Sequence, residues 1–410
     1  MKKNPNEALG QNKRDYGTLF AVWVFASLAL WLLLSLVFGK DTFTSVFFRH
    51  TTDAFMDFFN SIRDASLGQG AYTERRVIYP PMANLIFLLF SYLTPDAYNA
   101  TSFEDRKTWS AYDGNILLIA AVTVLASLLL ILPIWKSLGT DRKTKVLFTL
   151  AAFFSVPCLN MLERGNMMVL ALAGVMVYAM TYHSESRLAR ELGLLALAFS
   201  FSLKLYPILF AWLLIGDRRY KEFFRCALYS LALLILPSFF FGGPICLWWI
   251  FENIFFFSSN EKSALYMIGL YSGLPGTVVS IIFYGWFLLC AVNFLVSPFL
   301  HRERWKIWVG GCMMFISYPA LTTTYAWTLF LIPLIGLCNE KTRDRRILGY
   351  FIPILIPFLF FPISTPVPVT FNTFLAYICL FALTVYALGD TVLTLYRRWG
   401  EWSRQRRSLA

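Results

Sequence analysis

Long apolar runs alternate with short charged stretches along most of this chain. LFAVWVFASLALWLLLSLVFG (19–39), ILLIAAVTVLASLLLILPIW (116–135) and FLAYICLFALTVYAL (374–388) stand out. They approach or reach the roughly 20 apolar residues that cross a bilayer as a helix. The pattern predicts spans near 17–38, 113–135, 146–161, 166–182, 190–203, 205–216, 224–241, 275–298, 306–322, 326–338, 347–362 and 372–394. The expected fold is therefore an all-α polytopic membrane protein of about twelve transmembrane helices. Several spans are short, which implies broken or tilted helices. The first run is too long for the apolar part of a cleavable signal and is read as a span. MANLIFLLFSYL (82–93) is the exception: a crossing there reverses the side of every later loop, so it is expected to be re-entrant or to lie along the outer leaflet.

Composition supports a membrane chain: 58% of the 410 residues are hydrophobic and 15% charged, against roughly 25% charged in soluble domains. The net charge of +12 raises the question of nucleic acid, and its distribution answers it. Most basic residues fall in 2–14, 136–145, 187–190, 218–225, 302–306, 341–346 and the tail RRWGEWSRQRR, which alternate spans place on one side. The other side carries more acids than bases. That asymmetry follows the positive-inside rule, so both termini are expected in the cytoplasm of a multi-pass cell-membrane protein that contacts lipid and no nucleic acid. The chain reads as one membrane domain, 1–410, with a first outer loop at 39–112 and an aromatic-rich interfacial segment at 242–274. Seven scattered cysteines and three scattered histidines show no ligand spacing for zinc and no disulfide framework. No cofactor is expected, and a divalent metal on carboxylates stays open.

The outer segments hold the candidate chemistry. In DAFMDFFNSI, Asp53 and Asp57 are four residues apart and share a helix face. Phe55, Phe58, Phe59 and Ile62 form an apolar face suited to the membrane surface. A half-desolvated carboxylate gains proton affinity and can serve as a general base; the plainer reading is a solvated acidic loop. Pro80 and Pro81 suit the first turn of a helix over 82–93, which puts Arg75, Arg76 and Tyr79 at its mouth. Paired arginines either grip a phosphate or snorkel among headgroups. Glu163-Arg164-Gly165-Asn166 lies between two apolar runs, where charge is costly and points to function; a tight turn is the structural alternative. Lys204, in FSFSLKLYPILFAWLLI, is flanked by long uncharged stretches, with Pro207 breaking the helix behind it. It either snorkels or faces a cavity, where a phosphate or Glu163 would pair with it.

These elements, in this order, resemble the C-type (GT-C) membrane glycosyltransferases, and glycosyltransferase family 87 in particular, which includes mannosyltransferases that use polyprenyl-phosphate mannose. The matching stretches are DAFMDFFNSI, YPPMANLIF, ERGNMMVLALAGVMVYA and KLYPILFAWLLI, and the likeness covers roughly 15–340. It implies a GT-C-like bundle and a hexosyltransferase that moves a sugar such as mannose from a polyprenyl-phosphate donor to a lipid-linked or cell-envelope polysaccharide acceptor outside the membrane. It implies inversion, with Asp53 or Asp57 as base. Lys204, Arg164, Asn166, Glu163, Arg75, Arg76, Tyr79, Tyr206 and Tyr325 are then the candidates for donor binding. Two stretches depart from the family: Arg164-Gly165-Asn166 stands for Gly-Gln-x-Asn, and TTTYAW, with Tyr325 and Trp327, stands where the family often carries histidine. Both bear on which sugar fits. Two rivals remain: a polysaccharide polymerase or ligase using a diphosphate-linked glycan, and a lipid-glycan transporter, for which the missing internal repeat counts against.

Overall fold

The computed structural model describes residues 15–47, 54–94, 113–258, 273–318, 324–340, 345–363 and 370–409. Among them every regular element is helical. The principal helices are α1 (Tyr16–Phe38), α2 (Met56–Ser66), α3 (Pro81–Ser91), α4 (Asp113–Ser137), α5 (Arg142–Phe153), α6 (Val156–Glu163), α7 (Met168–Thr181) and α8 (Arg187–Leu203). They continue with α9 (Tyr220–Ser238), α10 (Ile245–Ser258), α11 (Gly276–Leu300), α12 (Arg304–Ile316), α13 (Leu331–Asn339), α14 (Leu348–Leu355) and α15 (Phe371–Leu409). Five stretches are long and apolar enough to cross a membrane: 16–38, 116–137, 220–241, 276–300 and 371–404. A sixth arises if α5 and α6, bent by 50° at their junction, form one broken span. Pro157 in the first turn of α6 restarts the helix there. The remaining apolar runs form helices of 10–17 residues. Twelve crossings therefore do not follow from helix length, because proline and 3-10 turns divide several of the apolar runs. α3, at 11 residues, is too short to cross alone and packs on α2, α8 and α9.

Among the described residues, the basic segments around 136–142, 187–190, 217–219 and 302–304 meet at one end of the bundle. Asp15 caps α1, accepting from the Thr18 amide at 3.1 Å, and also accepts from the Thr144 hydroxyl at 2.8 Å. Asp141 caps α5 through the Thr144 amide at 3.0 Å. Such caps satisfy amides that a helix start leaves open. Asn339, at the end of α13, accepts from the Gly139 amide and donates to the carbonyl of Ser137, the last residue of α4. Asp217 accepts from the Tyr182 hydroxyl at 2.8 Å and pairs with Arg304 at 3.2 Å. Within the bundle, Trp286 on α11 donates to Thr384 on α15 at 3.0 Å, and Thr391 donates to Asn293 at 2.8 Å. Buried polar side chains thus find each other where no water can serve them.

α7 and α8 pack along each other more extensively than any other described helix pair. A methyl group at Gly174 would lie 2.7 Å from the Ala196 carbonyl oxygen and collide with Ser200, so only glycine admits this approach, in the manner of small-residue contacts between membrane helices. Gly174→Ala is expected to destabilise the protein by roughly 1–3 kcal/mol, the usual cost of overpacking, because a backbone carbonyl cannot move aside. Thermal unfolding in detergent checks this: an unchanged midpoint would show that the two helices separate at no cost.

Candidate active site

At the end opposite the basic loops, α2 begins abruptly. Phe55 takes a left-handed conformation (φ 58°), and its amide donates to the Glu163 carbonyl at 2.7 Å, so the start of α2 is fastened to the end of α6. Phe58, Phe59, Ile62 and Ala65 are buried against Ala83 and Phe87 of α3, Met167, Ala171 of α7 and Leu203 of α8. The apolar face read from the sequence is therefore the one that docks, and docking fixes where Asp57, in the first turn, points. The open amides of that turn also favour a carboxylate.

Asp57 is held from across the fold. Its Oδ1 accepts from Nε of Arg164 at 3.0 Å and from a terminal guanidinium nitrogen at 2.6 Å. Its Oδ2 accepts from the Asn166 amide at 2.7 Å. Gly165 makes this grip possible: at φ +62° it occupies a conformation glycine adopts freely, and a Cβ there would stand 2.8 Å from the Phe55 ring and 2.9 Å from Cβ of Phe58. Asn166 is fully committed, since its carbonyl oxygen accepts from the Met168 amide at the start of α7 at 2.9 Å, while its amide also donates to the Tyr79 hydroxyl at 3.3 Å. Because that phenol oxygen accepts from Asn166, its own proton is free to donate elsewhere. Burial pushes the Tyr79 pKa well above the ordinary phenol range, so the proton stays.

Lys204 stands where α8 stops, in an extended conformation. Pro207 in the 3-10 turn Tyr206–Ala211 prevents the helix from continuing. Its ammonium lies 4.2 Å from the centre of the Tyr79 ring and 6.0 Å from that of Tyr325, a cation–π arrangement. It makes no ion pair among the described residues. Burial lowers its pKa, and the negative Asp57 partly restores it. Lys204, Tyr79, Tyr206, Tyr325, Phe315 and Tyr318 line a cavity of about 320 Å³. The Tyr206 hydroxyl meets the Met168 sulfur and its ring lies on Phe315.

The profile of glycosyltransferase family 87 matches residues 78–319, more than half of the chain and including the loop before α3, the Arg164–Asn166 turn and Lys204. The chain belongs to glycosyltransferase family 87. It is accordingly a membrane glycosyltransferase. Comparison with curated proteins and with solved structures returns no match.

Of the residues singled out in this glycosyltransferase, Asp57, Arg164, Asn166, Tyr79 and Lys204 form one connected cluster, with Tyr206 and Tyr325 on the adjoining cavity wall. Asp53 lies outside the described residues. Arg75 and Arg76 are turned elsewhere: Arg75 reaches to 4.0 Å from Asp64, and the Arg76 guanidinium sits 3.8 Å above the Phe256 ring on α10. Lys204 does not pair with Glu163, whose carboxylate accepts from Asn160 at 3.4 Å. Sequence reasoning missed Phe315 and Tyr318, which nothing separates from the abundant lipid-facing aromatics. It also missed the buried scaffold behind Tyr79. Asn84 donates to the Tyr72 hydroxyl at 2.8 Å, that hydroxyl donates to the Tyr79 carbonyl at 3.1 Å, and Asn253 donates to the carbonyls of Tyr72 and Val77. The available signal was a lone asparagine inside each apolar run.

Asn166→Ala is expected to cost roughly 1–3 kcal/mol of stability, because it strips the Met168 amide of its buried acceptor, and to lower transfer activity by freeing Asp57 from Tyr79. Thermal unfolding and a transfer assay on the same preparation separate the two effects. Full activity in a folded variant would remove Asn166 from the site.

Proposed function

We propose that this glycosyltransferase moves a hexose, such as mannose, from a polyprenyl-phosphate donor to a hydroxyl of a lipid-linked or cell-envelope glycan on the extracytoplasmic side, with inversion. The observation that carries the reading is that, among the described residues, a single lysine without an ion pair lies in an aromatic cavity beside a carboxylate held by Arg164 and Asn166. In this reaction the acceptor O–H loses its proton to a carboxylate while its oxygen attacks the anomeric carbon, and the bond from that carbon to the phosphate oxygen breaks on the opposite face. The phosphate departs as an anion, so it needs a cation and not a proton, in contrast with the leaving hydroxyl of a glycosidase. Lys204 supplies the cation, Tyr79 a hydrogen-bond donor, and the rings of Tyr206, Phe315 and Tyr325 cover the sugar. Asp57 is the base that the geometry supports: Arg164 occupies both lone pairs of Oδ1, while Oδ2 keeps one beyond that used by Asn166. Asp53, four residues earlier in the sequence, is the other candidate carboxylate.

Two further features support the donor. An apolar pocket lined by Phe55, Phe58, Phe87, Phe90, Leu129 and Leu170 adjoins Gly165 and Asn166, which suits an isoprenoid chain. Among the described residues the cavity offers one ammonium, while Arg75 and Arg76 are engaged with Asp64 and Phe256. A single cation fits a monophosphate better than a diphosphate, which favours a monosaccharide carrier over a polymerase or ligase donor. Placement of the basic loops at the far end supports an extracytoplasmic site by the positive-inside rule.

Reconstituted protein offered a panel of polyprenyl-phosphate hexoses is expected to transfer one of them. Asp57→Asn is expected to lower kcat about a hundredfold or more, with Asp53→Asn much milder. A mild Asp57→Asn beside a severe Asp53→Asn would move the base to Asp53, and two mild variants would end the base assignment. Lys204→Ala is expected to lower kcat/KM on the order of a hundredfold. The lysine also predicts a pH profile. Its protonated form binds phosphate, so kcat/KM is held below its pKa and falls as pH rises through it. Burial places that fall below the ordinary lysine value of about 10.4. Lys204→Arg is expected to abolish the alkaline limb; a limb that persists there belongs to another group.

A further inference from the structure

A second cavity, of about 340 Å³, opens at the other end of the bundle, among the basic loops. The same elements build both. α7 reaches from Met168 in the first cavity to Met180 in the second, about 18 Å at 1.5 Å per residue. α12 runs from Arg304 to Phe315, and the segment from Tyr325 through α13 ends at Asn339 and Glu340. The two cavities are therefore separate, at opposite ends of shared helices.

Donors dominate the wall of the second cavity. Arg302 is exposed and forms no ion pair among the described residues. Arg304 lies 5.1 Å from the Tyr182 ring centre and is oriented by Asp217 at 3.2 Å, which leaves much of its fork unused. The indole nitrogen of Trp308 and the hydroxyl of Ser137 are buried without a hydrogen-bond partner, although buried polar atoms almost always find one. Ser137 is fixed on the wall because its carbonyl is held by Asn339 at 2.8 Å. Tyr182, Trp305 and Trp308 add flat aromatic surface. The opposing acid on the wall is Glu340.

We propose that this second cavity binds a phosphate monoester. A monoester phosphate brings up to two negative charges and three acceptor oxygens, which Arg302, Arg304, Trp308 and Ser137 can satisfy together; its organic part rests on the indoles. A lipid headgroup at the membrane surface and a soluble metabolite both present this chemistry. The site stands independently of the transfer reaction assigned to Asp57 and Lys204.

The test uses the full chain in phosphatidylcholine nanodiscs, titrated calorimetrically with glycerol 3-phosphate at constant ionic strength, and compared by thermal midpoint with nanodiscs containing phosphatidic acid. Saturable binding of the soluble ester, or a raised midpoint with phosphatidic acid, is expected. Loss of soluble binding in phosphatidic-acid discs would identify a lipid occupant, and its persistence a soluble one. Arg302→Gln, at an exposed position that leaves folding intact, and Trp308→Phe, which keeps the ring and removes the N–H, are each expected to weaken the response on the order of tenfold. Lys204→Ala is expected to leave it unchanged. The proposal falls if neither ester has an effect, if Arg302→Gln responds like the unaltered chain, or if Lys204→Ala abolishes the response, since the phosphate would then sit in the first cavity.

Discussion

A carboxylate at the edge of an apolar bundle has to be held by the protein, because lipid offers it no water. Asp57 is held by Arg164 and Asn166, from a turn more than a hundred residues further along the chain. That tie joins the amphipathic α2 to the α6–α7 turn, and the left-handed Gly165 is the backbone condition for it. The Phe55 amide repeats the link to Glu163 through the main chain. Asn166 then passes the constraint on, capping α7 with its carbonyl and reaching Tyr79 with its amide. The position of Tyr79 fixes the aromatic face on which Lys204 rests. One ion pair and one asparagine therefore align four segments that the chain keeps far apart.

Much of this was legible because charge in an apolar chain is conspicuous. Lys204, Arg164 and Asp57 each interrupt oily sequence, and a charge that survives there needs a partner or a cavity. Pro80 and Pro207 were equally readable, since proline dictates where a helix can start. Partner choice was not legible. Nothing in Glu74-Arg75-Arg76 says that Arg76 lies over Phe256 or that Arg75 turns towards Asp64; either arginine could equally have faced the cavity. Glu163 and Lys204 looked like mates from their isolation, yet Arg164, its neighbour, is the residue that finds a carboxylate. Aromatics were the hardest class. Phe315 and Tyr318 line the cavity, while many similar rings lie exposed on the outside of the bundle, and single-residue identity carries no direction. The count of about twelve spans is not confirmed by helix length for a related reason: hydropathy registers an apolar run but not the 3-10 turn or bend that cuts it short, as at the α5–α6 junction.

The two ends of the bundle use polar groups differently. At the basic-loop end, acids are spent on caps and ties: Asp15 and Asp141 on helix starts, Asp217 on Tyr182 and Arg304, and Asp390 on Lys306 and Tyr350. These contacts lock short loops, and the fold needs them whatever the protein does. At the other end Lys204 has no such partner among the described residues and rests on tyrosine rings. A half-buried ammonium without a counter-ion gives up hydration for a weaker cation–π contact. The fold tolerates that cost at the site proposed for sugar transfer.

In the proposed reaction the coupling through Tyr79 has a mechanistic consequence. The carboxylate and the ammonium must stand a fixed distance apart, because the nucleophile and the leaving phosphate lie on opposite faces of one carbon. A direct Asp57–Lys204 ion pair would hold both groups too close and would neutralise Lys204 before substrate arrived, whereas Asp57 already pairs with Arg164. Placing Asn166 and the Tyr79 ring between them keeps the charges apart while fixing their positions, and the lowered proton affinity of Lys204 is only partly restored by Asp57. The buried scaffold of Tyr72, Asn84 and Asn253 holds that spacer by its backbone, so the gap between base and cation is built by residues that need not touch substrate. Preorganisation of this kind lets a polar site act without reorganising at the moment of transfer.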